Sequence, residues 1–170
     1  EAHGASICNL SLGSSAYSEE LAETIKNSPM LFVIACGNGD SRGRGYDTDT
    51  DPVYPSSLPF DNVISVASLF FDGNLAPSSN YGAVSVDLAA PGSYILSTAP
   101  GGGYAFMSGT SMAAPMVTGV AAMLYSYRTD LALSDIKNVL IRSCRPVESL
   151  LGKTVSGGIL DAWAALNYVG

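Results

Sequence analysis

A chain of 170 residues suffices for one domain and is short for two. It is 47% hydrophobic and only 14% charged, against about 25% charged in an average soluble domain, so it carries less solvated surface than a self-contained domain of this size. A net charge of −7 speaks against nucleic acid, no Lys/Arg cluster suits an anionic membrane, and no apolar run is long enough to span a bilayer.

The opening Glu1-Ala2-His3 lacks the charged segment and apolar core of a signal peptide, and reads as a cut. The run "GASICNLSLGS" (4–14), with Ile7, Leu10 and Leu12, predicts a buried strand ended by Gly13. "SEELAETIKNS" (18–28) predicts a helix with Ser18 as N-cap and Leu21, Ala22 and Ile25 on one face. "MLFVIACGNG" (30–39) is a continuous apolar strand of the kind that lies in a parallel sheet covered on both faces. A polar loop over 40–62 follows, then strands over 62–70, 84–92 and 93–99 and a loop at Gly101-Gly102-Gly103. "SMAAPMVTGVAAMLYSY" has almost no polar stripe, so the helix it predicts runs through the inside of a domain, with Pro115 in its first turn. A helix over 134–143 capped by Ser134 and a short terminal helix in "GGILDAWAALNYVG" close the chain. No repeat, low-complexity tract or linker divides it, so residues 1–170 form one domain body or part of one.

Cys8, Cys36 and Cys144 are an odd number, so at least one thiol lacks a partner within the chain. Cys8 and Cys36 lie in apolar runs where cysteine acts as a small hydrophobe, and free buried thiols are expected. The one histidine, His3, is far in sequence from Cys36 and Cys144, which argues against a nucleophilic cysteine at either. "DTDTD" (47–51) has the first ligand spacings of a calcium loop, but Pro52 and Leu58 stand where Gly and Glu are needed. A solvated acidic loop is the expectation there. Asn9-Leu10-Ser11 is a formal glycosylation sequon that should stay unmodified inside a strand.

A reactive serine needs a rigid exposed position, a neighbouring base and donors for a developing oxyanion. "SGTSMAAP" (108–115) offers the first: Gly109 permits close backbone approach, and the start of a helix brings free N–H groups to Ser111. Taken alone, a serine there is more often a simple N-cap.

The segment does not stand alone. "SGTSMAAP" followed by a Gly/Ala-rich apolar helix resembles the nucleophile signature of the subtilisin-like serine proteases. "NLSLG" (9–13) is similar to the family's substrate-binding strand and "VIACGNGD" (33–40) to its oxyanion segment. "VYPSSLPFDNVISVAS" (53–68), "SNYG" (79–82), "DLAAPGSYILST" (87–98) and "GGILDAWAAL" (157–166) continue the match in the family's order. The resemblance implies an α/β fold: part of a three-layer arrangement with a mainly parallel sheet and a buried central helix after the nucleophile. It implies Ser111 as nucleophile, Asn38 as side-chain donor of the oxyanion hole and Thr110 as its support. Ser11, Leu12 and Gly13 would hold an extended peptide or protein substrate through main-chain hydrogen bonds, with Gly37 and Val53 lining the cleft. The family often has Gly where Val53 stands, so a shallower side-chain pocket is expected. Met116 replaces the family's usual His after the nucleophile, and Ser14 a Gly at the cleft rim.

The family's triad runs Asp, His, Ser along the chain, and its Asp-Ser/Thr-Gly and His-Gly-Thr-His segments do not occur here. The one histidine, His3, is read as a solvated surface residue. The chain is therefore expected to be the C-terminal part of a catalytic domain, inactive by itself. The missing N-terminal part of that domain, and with it a propeptide, would be its partners. No cofactor is needed for the chemistry; a structural calcium and a secreted location are carried by the resemblance alone. Without the missing strands a free sheet edge and an apolar face would favour association of two copies, or disorder around residues 4–14 and 101–111. A peptide-binding pseudoprotease and a structural subdomain that assembles with the missing half are the alternatives.

Overall fold

The computed structural model describes residues 1–169. Four parallel strands, β1 (Ile7–Leu10), β2 (Leu31–Ala35), β3 (Val63–Leu69) and β4 (Leu88–Pro91), pair in chain order. Beside β4 lies β8 (Gly158–Ile159), parallel to it, and β7 (Arg145–Pro146) closes that side antiparallel, giving the order β1-β2-β3-β4-β8-β7. Every residue of β2 and β3 is buried, as continuous apolar runs require when both faces are covered.

The period-2 alternation sorts the two faces. Leu31, Val33, Ala35, Ile64, Val66, Leu88 and Ala90 point to one side, against α2 (Thr110–Tyr127), α3 (Leu133–Arg142) and α4 (Ala162–Leu166). Phe32, Ile34 and Val63 point to the other, against Ala22 and Ile25 of α1 (Glu19–Lys26). A second hydrophobic cluster on that side joins Cys36, Ala67, Leu69 and Ala89 to Leu150 and Ile159. Helices thus cover a mainly parallel sheet on both faces.

Several local expectations are corrected. Ser18 does cap α1, accepting the Leu21 N–H at 3.2 Å, but Leu21 itself is exposed. Residue 134 does not cap α3; Ala132 is the N-cap, and its N–H is taken by the Asp135 carboxylate at 3.1 Å. The glycine loop is the turn of a separate hairpin, β5 (Ile95–Ala99) with β6 (Gly103–Met107). That hairpin leaves Leu96, Tyr104 and Phe106 exposed. Pro115 lies inside α2 as its sixth residue, not in the first turn. Only one face of α2 is buried, through Thr110, Ala113, Ala114, Val117, Val120, Ala121 and Leu124. Its other face, with Pro115, Met116, Gly119, Ala122 and Met123, is apolar and exposed. Uniform hydrophobicity left no periodic signal to say which side would meet the sheet.

Candidate active site

Parallel strands that all end at one edge of a sheet put their following loops side by side. Ser11-Leu12-Gly13 follows β1 and Gly37-Asn38-Gly39 follows β2. Gly92 follows β4, and its carbonyl accepts the Gly109 N–H at 2.8 Å, which ties the start of α2 to the same edge. The eight residues singled out from the sequence (Ser11, Leu12, Gly13, Gly37, Asn38, Val53, Thr110 and Ser111) line one cavity of about 400 Å³.

At its centre the Asn38 amide is oriented by hydrogen bonds. Asn38 Oδ1 accepts the Thr110 N–H at 2.8 Å and the Thr110 hydroxyl at 3.1 Å. Thr110 is fully buried, and its Oγ1 accepts in turn the Gly37 N–H at 3.2 Å. With the oxygen end committed, Nδ2 is left as a donor without a partner among the described residues. The Ser111 N–H, in the first turn of α2, also lacks one, as helix starts require unless something outside supplies an acceptor. The close approach explains Gly109: a side-chain carbon there would lie 3.1 Å from Asn38 Oδ1, and φ of 145° disfavours any side chain.

Asn80 was not singled out by the sequence reading beyond the block "SNYG", yet it shapes the Asn38 loop. It is 1% exposed; its Oδ1 accepts from Gly39 N at 2.9 Å and Tyr46 N at 3.2 Å, and its Nδ2 donates to the Cys36 carbonyl at 3.2 Å. Its main-chain N–H adds a bond to the Gly37 carbonyl at 3.0 Å. Asn80→Ala should leave three main-chain groups without their partner, and cost about 2–3 kcal/mol of stability. A urea unfolding midpoint that does not move would show that water replaces the amide.

The main-chain groups of Leu12 and Gly13 have no hydrogen-bond partner among the described residues, and both residues are exposed. Ser14 is held against Tyr54 by two main-chain bonds of 2.8 and 2.7 Å, which fixes the rim of the cavity. Val53 is buried between two glycine backbones: a side-chain carbon on Gly13 would lie 2.8 Å from Val53 Cγ1, and one on Gly37 3.6 Å from Cγ2.

The Ser111 hydroxyl points at the Ser11 carbonyl, at 3.4 Å. No imidazole adjoins it, since the one histidine, His3, is exposed at the end of β1 opposite to Ser11. The thiols do not substitute for it. Burial pushes the Cys36 thiol up to about 12, against the opposing Ser79 hydroxyl, and burial pushes Cys144 up to about 11. All three cysteines are free, with only Cys36 fully buried.

In the acidic loop the Asp49 carboxylate is engaged by main-chain N–H groups. The Asp49 carboxylate accepts from Val84 N at 3.1 Å and Ser85 N at 2.8 Å. Among the described residues no group of three or more His, Cys, Asp or Glu side chains is placed to hold a metal ion.

The Subtilase family model matches residues 1–159. Thermitase of Thermoactinomyces vulgaris is 41% identical over 168 residues, covering 97% of this chain and 55% of that protein. The major intracellular serine protease of Bacillus subtilis is 36% identical over 159 residues, covering 89% of this chain and 47% of the relative. A solved protease from Pseudoalteromonas arctica superposes with a TM-score of 0.82 at 30% identity, over 98% of this chain and 52% of its own. The chain spans about half the length of each of these proteins. With the ordered motifs, the parallel sheet and the Ser111–Asn38 cavity all in place, this chain belongs to the subtilase family of serine proteases.

Proposed function

We propose that these 170 residues supply the nucleophile and the oxyanion-binding half of a serine endopeptidase site. The general base and its carboxylate partner would come from a segment outside them. The observation that carries this reading is the Asn38 amide, whose oxygen is tied to Thr110 so that Nδ2 and the unpaired Ser111 N–H serve one cavity with Ser111 Oγ. In the proposed reaction Ser111 Oγ attacks the carbonyl carbon of a peptide bond and gives its proton to the base. The carbonyl oxygen takes up negative charge and is held by Asn38 Nδ2 and the Ser111 N–H. Expulsion of the amine, which takes the proton, leaves an acyl-Ser111 ester that water hydrolyses.

The peptide would lie extended along Leu12 and Gly13, whose main-chain groups are free to pair with it. Val53 would restrict the side-chain pocket beside the cleaved bond to small residues. The rest of the catalytic domain would cover the open edge of β1 and the outer face of α2, surfaces that otherwise favour pairing of two copies. An N-terminal propeptide would act on the same cleft. Among the described residues no helix is long and apolar enough to cross a membrane. Because one relative is an intracellular protease, family membership does not by itself place the protein in a secreted compartment.

The second reading, a peptide-binding module, is favoured by the Ser111 hydroxyl resting on the Ser11 carbonyl with no base beside it. Labelling with a fluorophosphonate separates the two. The 170-residue chain alone should not label, and the chain joined to a segment carrying the base should label at Ser111. Efficient labelling of the isolated chain, lost in Ser111→Ala, would show that no outside base is needed. Capture of extended peptides without labelling in any form would establish the binding module.

A further inference from the structure

An α-helix satisfies each carbonyl with the N–H four residues on. Pro115 has no N–H, so the carbonyl of Ser111 loses its helical donor, and the proline ring crowds that same carbonyl. The carbonyl is not left unpaired: the Ser11 hydroxyl donates to it at 2.8 Å. Ser11 Oγ in turn accepts from Asn9 Nδ2 at 2.9 Å, and Asn9 Oδ1 accepts from the Thr118 hydroxyl at 2.9 Å. Thr118 Oγ1 also lies 3.0 Å from the Ala114 carbonyl, so the two oxygens share its one proton. Asn9 Oδ1 can only accept, so the bond between Thr118 and Asn9 is made with that proton.

We propose that Thr118 and Asn9 are positioning residues, which set the Ser111 turn against the end of β1 through the Ser11 hydroxyl, in place of the helical bond that Pro115 removes. The proposal rests on the reading of Ser111 as nucleophile. The direction of the relay follows from the Ser111 carbonyl, which can only accept. Ser11 has one proton and spends it on the Ser111 carbonyl, so its oxygen must receive a donor, and the Asn9 amide nitrogen supplies one. That turns the amide oxygen toward Thr118, where an oxygen can only accept, so Thr118 donates to it. Asn9 lies on β1 and Thr118 two turns into α2, so the chain of bonds links the strand that leads into the peptide-binding segment with the helix that carries Ser111. Apolar contacts between α2 and the sheet tolerate small slides; a directed relay does not. In a site where about 1 Å of misplacement costs about 10²-fold in rate, that difference is functional.

The test uses the protein complete with the segment that carries the base. Thr118→Val keeps shape and removes the hydroxyl; kcat should fall about tenfold with KM within about twofold. Thr118→Ser should retain kcat. In a Pro115→Ala background the residue-115 N–H returns to the Ser111 carbonyl, and Thr118→Val should then change kcat by less than about twofold. A second readout needs no activity: in the 170-residue chain the Ser111 carbonyl carbon resonance should move upfield on Thr118→Val, and not when residue 115 is Ala. A Ser111-dependent activity indifferent to Thr118→Val, an equal loss in both backgrounds, or an unmoved carbonyl resonance would each overturn the relay alone. Activity that survives Ser111→Ala would overturn the protease reading instead, and the relay's purpose with it.

Discussion

Ser111→Ala, made in the protein complete with its base, should lower kcat by about 10⁶, a magnitude established on a subtilisin. On the proposed reading the loss is that large because the acyl-enzyme route disappears, not because substrate binds less well. Asn38→Ala should cost about 10²–10³ in kcat, the range for one oxyanion donor, also set on a subtilisin. KM should change little, since Nδ2 meets full negative charge only as the oxyanion forms. The geometry makes this a clean substitution in one respect and not in another. Removing the amide takes away the cavity-facing donor, but it also strips the acceptor from Thr110 N–H and Thr110 Oγ1. Asn38→Asp keeps the acceptor for Thr110, but it replaces the donor with a negative charge where the oxyanion forms, so it should lose more turnover than Asn38→Ala. A rise in KM with unchanged kcat in both would make Asn38 a binding residue only.

Lys137→Met should destabilise the fold by about 3 kcal/mol, measured by denaturant unfolding at neutral pH. Asp87 is 7% exposed, and its carboxylate meets Lys137 Nζ at 3.2 Å and the Ser65 N–H at 2.8 Å. Lys137 also donates to the Val63 carbonyl at 2.6 Å, so one ammonium links α3 to the β3 and β4 segments. Burial holds the Asp87 carboxyl above the usual carboxylate range, and the Lys137 charge and the Ser65 N–H only partly offset it. Removing the cation leaves a buried carboxylate unpaired and should raise its pKa further. The folded state then binds the Asp87 proton more tightly than the unfolded chain does. Stability contributed by that proton is present at low pH and lost as pH rises through the folded value. The deficit of Lys137→Met should accordingly be smaller at mildly acidic pH than at neutrality. A deficit that does not vary with pH would mean that the lost packing of the lysine stem, not the charge, carries the effect.

The sequence by itself determined the elements whose signal is local. The apolar runs around 31–35 and 63–69 read directly as strands covered on both faces, because burial on both sides removes the need for alternation. Ser18 announced the start of α1, because a hydroxyl at that point takes an otherwise unpaired N–H. The pairs Gly37-Asn38 and Thr110-Ser111 were legible as a set because their motifs come in the family's order, though the two pairs lie more than 70 residues apart. What only the tertiary structure decided are the relations that depend on distance and direction between separate segments. The hairpin of β5 and β6 was hidden behind three glycines, since its pairing is set by register and not by composition. The face of α2 that meets the sheet was unreadable from residues apolar all round. Asn80 belongs to no catalytic motif, and its clamp on the Asn38 loop exists only once β2 and the 79–82 turn lie side by side. The bond from Ser11 to the Ser111 carbonyl spans 100 residues, and only the fold brings that hydroxyl to the acceptor that Pro115 left open.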